Sequence, residues 1–225
     1  MECLINHQTK KQGKRHLRRA LNTSTWRVPS RPFEVPVLTS TNRNRTFFEE
    51  VYGGNPLVYV DKRHPKWTWW EKLYSIEENV GKFMADGHEF FMYADADDAM
   101  LWQAPTVARC KEALGNTTML FQESNHGFPR PKIFKRRAVF NDKGPCAGAF
   151  IARTAVMRDY CRMIRDLSAH ESPWVTSDNS YEKGRSFDDQ GAWFTLSCLL
   201  PTEIRVDNQY KYLTNKEEPD FDEVL

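Results

Sequence analysis

No apolar run in this 225-residue chain approaches the roughly 20 residues that a membrane-crossing helix needs, so no membrane segment is expected. The opening stretch MECLINHQTKKQGKRHLRRAL lacks the apolar core of a secretory leader, because basic residues arrive before one can form. A cytoplasmic or otherwise intracellular setting is the expectation. Cysteine is scarce: Cys3, Cys110, Cys146, Cys161 and Cys198 are odd in number and widely spaced, which argues against both a disulfide framework and a zinc site and leaves mostly buried thiols. His64, His88, His126 and His170 are likewise isolated, with no metal-ligand spacing among them. Internal repeats and low-complexity segments are absent too.

Charge is nearly balanced at +2, so the whole chain is no obvious polyanion binder. Its basic residues are nevertheless uneven, with Lys10, Lys11, Lys14, Arg15, Arg18 and Arg19 gathered near the start. Such an arm can touch a polyanion; the simpler reading is a solvated, partly disordered terminus. The prolines of WRVPSRPFEVPVLTST then mark an extended linker. The expected division is residues 1–32 as arm and linker and 33–225 as one folded domain.

Within that domain, strand and helix signals alternate. A strand is expected at Val35 to Thr41, a short helix in RTFFEEVYGG closed by Gly53 and Gly54, and a buried strand in NPLVYVDK. Trp69, Leu73, Ile76, Val80 and Phe83 step by four and three, which lines one face of a helix that Gly87 stops. HEFFMYAD is a continuous apolar strand, APTVARCKEALG a short helix ended by Gly115, and TTMLFQES a strand ending at Glu123 beside the one that carries Asp95. After a long irregular segment, AGAFIART restores a strand, Thr154 caps a helix, FDDQGAWFTLSCLL forms another, and TEIRVDN is a last strand. The fold class predicted is α/β, a mostly parallel central sheet flanked by helices, with two loop segments over one edge.

The chemistry concentrates in FFMYADADDAMLW, where an apolar strand runs into Asp95, Asp97 and Asp98. Carboxylates this close repel, and a bound cation or a proton-transfer role offsets that repulsion. In α/β sheets the ligand crevice lies beyond the carboxyl ends of the strands, which is where these residues fall. Either Asp95 with Asp97 or Asp95 with Asp98 can converge on one Mn²⁺ or Mg²⁺ that neutralises a nucleoside diphosphate. The same spacing also occurs in helix caps, in calcium loops, in a ligand-free acidic turn, and in phosphatases that would use Asp95 as nucleophile and Asp97 as acid. Ala99 stands where that last pattern normally has Thr or Val. FDDQ supplies a second pair, Asp188 and Asp189, which the helix dipole alone would favour and which could also act as general base or hold a donor sugar. Trp67, Trp69 and Trp70 could stack on a base or sugar.

Taken in order, FFMYADADDAML, MLFQES, GPCAGAFIA, FDDQGAWFTL and EIRVDNQYKYL resemble the glycosyltransferase domain of procollagen lysyl hydroxylases and related collagen galactosyltransferases, from about Val35 to the end of the chain. The resemblance implies a GT-A-like nucleotide-sugar-binding fold and transfer of a hexose, galactose or glucose, from a UDP-sugar with Mn²⁺ or Mg²⁺. It matches Asp95 and Asp98 to the family's metal-binding D-x-x-D, Asp188, Asp189 and Gln190 to its D-D-Q, Glu123 to its strand-ending acidic residue, and Thr41 and Lys72 to positions near the donor. With the reading of the residues, Asp188 and Asp189 are expected to be catalytic and Thr41, Lys72, Asp97, Glu123, Gly148 and Gln190 to bind the donor, Asp97 departing from the aromatic residue often found there and making the site more acidic. Cys146 and Ala147 depart from the Asn and Ser common there, so donor sugar or acceptor can differ. A histidine that completes the metal site lies, in the family, beyond a segment like FDEVL; the sequence ends at Leu225, so either it is truncated or another residue or water takes that place. The iron ligands of a hydroxylase half have no counterpart. The acceptor implied is a protein hydroxyl, a glycan or a modified nucleic acid base. The rival readings are a non-catalytic nucleotide-sugar or polyanion-binding module and a D-x-D phosphatase.

Overall fold

The computed structural model describes residues 5–7, 29–63, 68–96, 99–124, 144–169, 176–178, 185–187, 189–209 and 211–214. Eleven strands and five helices follow one another as β1 (Ile5–His7), β2 (Val37–Thr41), α1 (Phe47–Tyr52), β3 (Val58–Lys62), α2 (Trp69–Ala85), β4 (Phe90–Ala94), β5 (Ala99–Leu101), α3 (Val107–Leu114), β6 (Met119–Ser124), β7 (Gly144–Arg153), α4 (Thr154–Ala169), β8 (Thr176–Asp178), β9 (Arg185–Phe187), α5 (Asp189–Leu199), β10 (Ile204–Asp207) and β11 (Leu213–Thr214) among the described residues.

Six strands form the central sheet, in the order β10-β6-β7-β4-β2-β3. Pairings β10 with β6, β4 with β2 and β2 with β3 are parallel, and β7 runs antiparallel to both its neighbours. Five strands therefore point one way and their carboxyl ends share one edge. This mostly parallel sheet between helical layers is the α/β arrangement expected from the sequence.

Strands buried on both faces explain the continuous apolar runs. Along β4, Phe90, Met92 and Ala94 enter one core while Phe91 and Tyr93 enter the other. The first core is closed by α1, α3 and the short strand β5, through residues such as Phe48, Cys110 and Leu101. The second is closed by α2, α4 and α5, with Leu73, Ile76, Val80 and Phe83 from α2, Tyr160 from α4 and Trp193 from α5. Each such large apolar side chain contributes about 1.5–3 kcal/mol by leaving water. Helix ends follow local rules: the Thr46 and Thr106 hydroxyls accept the amides of Glu49 and Arg109. Gly87 and Gly115 take positive φ of 81° and 54° where α2 and α3 stop.

Four details depart from the sequence reading. The strand carrying Glu123 does not lie beside the one carrying Asp95, because β7 enters between them. A strand buried on both faces shows the same apolar run in either direction, so the antiparallel course of β7 has no local signal. β7 also begins at Gly144, since Pro145 and Cys146 pair with Glu123 and Gln122. Thr154 is not a cap: β7 runs directly into α4, and the Thr154 hydroxyl instead donates to the His88 carbonyl at 2.6 Å. Lastly, Ile5–His7, read as part of a loose arm, forms the middle strand of a second sheet ordered β11-β1-β5.

Cys110 and Cys161 are buried and Cys146 and Cys198 half-buried, all four unbridged. Burial pushes the thiols of Cys110 and Cys161 up to about 12. Both stay neutral in the native state while the unfolded chain ionises near the ordinary thiol value of about 8.5, so the stability they lend is complete below that pH and is lost as pH rises towards 12. Urea denaturation from pH 8 to 11 is expected to show a steeper loss of stability for the native sequence than for a Cys110→Ala, Cys161→Ala double variant. Identical slopes would contradict the assignment.

Candidate functional site

The carboxyl edge of the sheet is organised by an unusual core residue. Lys72 lies in the first turn of α2 among its apolar positions, so its side chain is directed inward and is only 2% exposed. An ammonium buried this deeply is costly unless each of its three protons meets an acceptor. Nζ donates to the Ala147 carbonyl at 2.6 Å and to Asp95 Oδ1 at 3.3 Å, and lies 3.0 Å from Asp189 Oδ2. It also stands 4.5 Å over the ring of Tyr93. Burial alone would pull the Lys72 pKa down; the carboxylates of Asp189 and Asp95 outweigh it and hold the group well above the ordinary lysine range.

Each partner comes from a different element. Asp95 directly follows β4, and its N–H donates to the Gly148 carbonyl at 2.9 Å. Asp189 begins α5, where the helix dipole favours a carboxylate. The two carbonyls come from a bulge in β7: Phe150 pairs with Phe121 but Cys146 already pairs with Gln122, so Ala147, Gly148 and Ala149 are extra on the β6 side. A bulge re-aims backbone groups. Here it gives the Ala147 carbonyl to Lys72 and the Gly148 carbonyl to Asp95. Below the ammonium, the Tyr93 hydroxyl and Ser40 Oγ share a 2.7 Å hydrogen bond, and burial pushes the Tyr93 phenol above its usual range.

Among the remaining expected site residues, Thr41 is buried at the end of β2, its hydroxyl accepting the Arg43 amide at 3.1 Å. Glu123 is wholly buried near the end of β6, and next to it Ser124 accepts a hydrogen bond from Gln190 at 3.3 Å. Lys72, Asp95, Asp189 and the carbonyl preceding Gly148 thus meet at one point, and Gln190 meets the end of β6. Trp69 and Trp70 pack partly buried at the start of α2, where Trp70 stacks on Tyr74 at 6.0 Å. Asp97, Asp98, Asp188 and Trp67 lie outside the described residues.

Sequence reading missed Tyr93, Ser40, the Ala147 carbonyl and one further cluster. Asp61, near the end of β3, accepts from Ser75 Oγ at 2.6 Å, Asn79 Nδ2 at 3.0 Å and Arg63 Nε at 2.8 Å. It fixes α2 to the sheet one turn beyond Lys72. Its sequence signal is weak: Asp61 lies within the strand NPLVYVDK, and only Ser75, Asn79 and Arg63 give it a role.

For a divalent ion, Asp95 supplies a hard oxygen donor at a strand end with 30% of its side chain exposed, whereas Asp189 at 8% is turned to Lys72. Among the described residues no group of three His, Cys, Asp or Glu could hold a metal. Asp95, three residues before Asp98 in the sequence, offers the kind of carboxylate oxygen that Mn²⁺ or Mg²⁺ prefers.

No family model matches the chain, and no curated protein does. Among solved structures it is similar to a glycosyltransferase involved in the glycosylation of the major capsid of PBCV-1. The identity is 12%, the match covers 78% of this chain and 82% of that one, and the TM-score is 0.48.

Tyr93→Phe keeps the ring under Lys72 and leaves the buried Ser40 hydroxyl without its partner. The expected cost is about 1–3 kcal/mol in urea denaturation. A change below about 0.5 kcal/mol would show that the Ser40–Tyr93 bond does not support the site.

Proposed function

We propose that the chain is a metal-dependent glycosyltransferase that moves a hexose, galactose or glucose, from a UDP-sugar to a hydroxyl acceptor. The observation that carries the reading is the cluster of Asp95, Lys72 and Asp189 at the carboxyl edge of the sheet. Its three charges leave one net negative charge, and a diphosphate approaching that edge would be repelled. A divalent ion reverses the sign. Asp95 and Asp98 would hold it, and once bound it supplies the Lewis acidity that stabilises departing UDP. On this reading Asp97, Glu123, Thr41, Gly148 and Gln190 would take part in binding the donor.

The protein's own groups divide the remaining work. Lys72 holds Asp95 in one orientation, so that its carboxylate is preorganised before a donor arrives. Asp189, turned to the ammonium, is poorly placed to take a proton, so the general-base role falls to its neighbour Asp188. The acceptor class, protein, glycan or modified nucleic acid, is left open by this division of roles.

Calorimetric titration of UDP tests the reading. Binding is expected with Mn²⁺ present, to be at least tenfold weaker without it, and to be lost in Asp95→Ala and Asp98→Ala. Binding of UDP without any turnover of UDP-glucose or UDP-galactose across protein and glycan acceptors would reduce the protein to a nucleotide-sugar-binding module. Absence of UDP binding under every condition, with hydrolysis of a generic phosphoester, would replace the reading with a phosphatase.

A further inference from the structure

α2 carries two aromatic rings on a flank that faces away from the sheet. Trp70 and Tyr74 are one helical turn apart, with ring centroids 6.0 Å from each other and planes inclined by only 21°. Trp70 is half-buried against the second core, whereas Tyr74 is 40% exposed. Glu77, on the same flank, accepts from both terminal nitrogens of Arg165 on α4, Nη2 reaching Oε1 at 2.9 Å, and the Tyr74 phenol lies within electrostatic reach of that guanidinium. Glu71 and Glu78, one turn before and one turn after Tyr74, border it on the helix surface.

Near-parallel rings suit a flat surface rich in C–H groups, because the negative face of an aromatic ring attracts the weakly positive hydrogens laid against it. One face of a hexopyranose is such a surface, and the hydroxyls around its rim need acceptors and donors. Glu71, Glu77 and Glu78 supply the first and Arg165 the second. Charge selects among ligands with a stacking face. Even counting Arg63, which pairs with Glu78 at 2.8 Å, the three carboxylates outnumber the two guanidiniums, so this flank disfavours a phosphate and with it a nucleotide or nucleic acid. Lys72 stands between Trp70 and Tyr74 in sequence but on the opposite side of the helix, whose width is about 10 Å. A single hexose cannot touch both the rings and the Lys72 cluster; a chain of them can.

We propose that Trp70 and Tyr74 form a stacking platform for an uncharged hexopyranose, and that this sugar belongs to an oligosaccharide acceptor whose reacting end lies at the carboxyl edge of the sheet. The word acceptor rests on the transferase reading above; the binding of sugar to the platform does not. Of the acceptor classes left open there, the platform selects the glycan.

The test titrates the full chain calorimetrically with maltohexaose and cellohexaose as uncharged probes, with a hexamer of galacturonic acid as the acidic one, and with UDP in the presence of Mn²⁺. At least one neutral hexamer should bind, and the acidic hexamer should bind at least tenfold more weakly. Tyr74→Ala should weaken the neutral hexamer at least tenfold, while Tyr74→Phe, which keeps the ring, should stay within threefold of the native chain. UDP affinity should move by less than twofold in both variants. Binding of neither neutral hexamer overturns the proposal, as does equal affinity for the acidic hexamer or retention within threefold in Tyr74→Ala. If Tyr74→Ala does not fold, amide shifts of the native chain decide instead: the neutral hexamer must perturb Trp70, Tyr74 and Arg165, and perturbation confined to other residues overturns it. A hexamer held through Tyr74 by a chain that binds no UDP would sink the transferase reading and leave the platform standing as a carbohydrate site; UDP-sugar turnover without hexamer binding would do the reverse.

Discussion

A buried ammonium is the constraint from which the site follows. Lys72 cannot remain charged inside the protein unless acceptors surround it, and those acceptors are Asp95 after β4, Asp189 at the start of α5 and the Ala147 carbonyl in the β7 bulge. Satisfying one cation thereby brings four separate elements to one point. The geometry also orders the carboxylates by task, since the more buried Asp189 is matched to the ammonium and the more exposed Asp95 is oriented by it. Two carboxylates from separate elements both approach one ammonium, whose charge offsets their mutual repulsion.

The sheet topology serves the same constraint. Parallel strands deliver Thr41, Asp61, Asp95 and Glu123 at or near the ends of β2, β3, β4 and β6, because their carboxyl ends share an edge. The one antiparallel strand begins at that edge, and its bulge can present consecutive carbonyls there, which a strand running the other way would place differently. On the opposite face, α1 and the small sheet secure the residues that flank Asp97 and Asp98. The carboxyl edge is therefore supported from both cores, through α2 with Lys72 on one side and through α1 with β5 on the other.

Most of this fold was legible in the sequence because its elements are strongly periodic. The α2 stripe of Leu73, Ile76, Val80 and Phe83 and the apolar run of β4 each pointed to one kind of element. Direction and partner choice were not legible. β7 reads as a strand whichever way it runs, and β5 and β1 are too short for a period to register. Lys72 could be flagged as a site residue, but its burial could not be foreseen, since a lysine inside an amphipathic stripe usually extends its head to water. Tyr93 and Asp61 looked like strand residues, and only their neighbours from distant segments give them roles.

The most direct measurement of the central claim is a double-mutant cycle on Lys72 and Asp189, read by urea denaturation. Lys72→Met alone leaves Asp189 buried without its cation and is expected to cost about 3–5 kcal/mol. Adding Asp189→Leu should recover part of that loss, giving an interaction of at least about 2 kcal/mol between the two sites. Additive effects, with an interaction below about 0.5 kcal/mol, would show that the ammonium does not hold the site together.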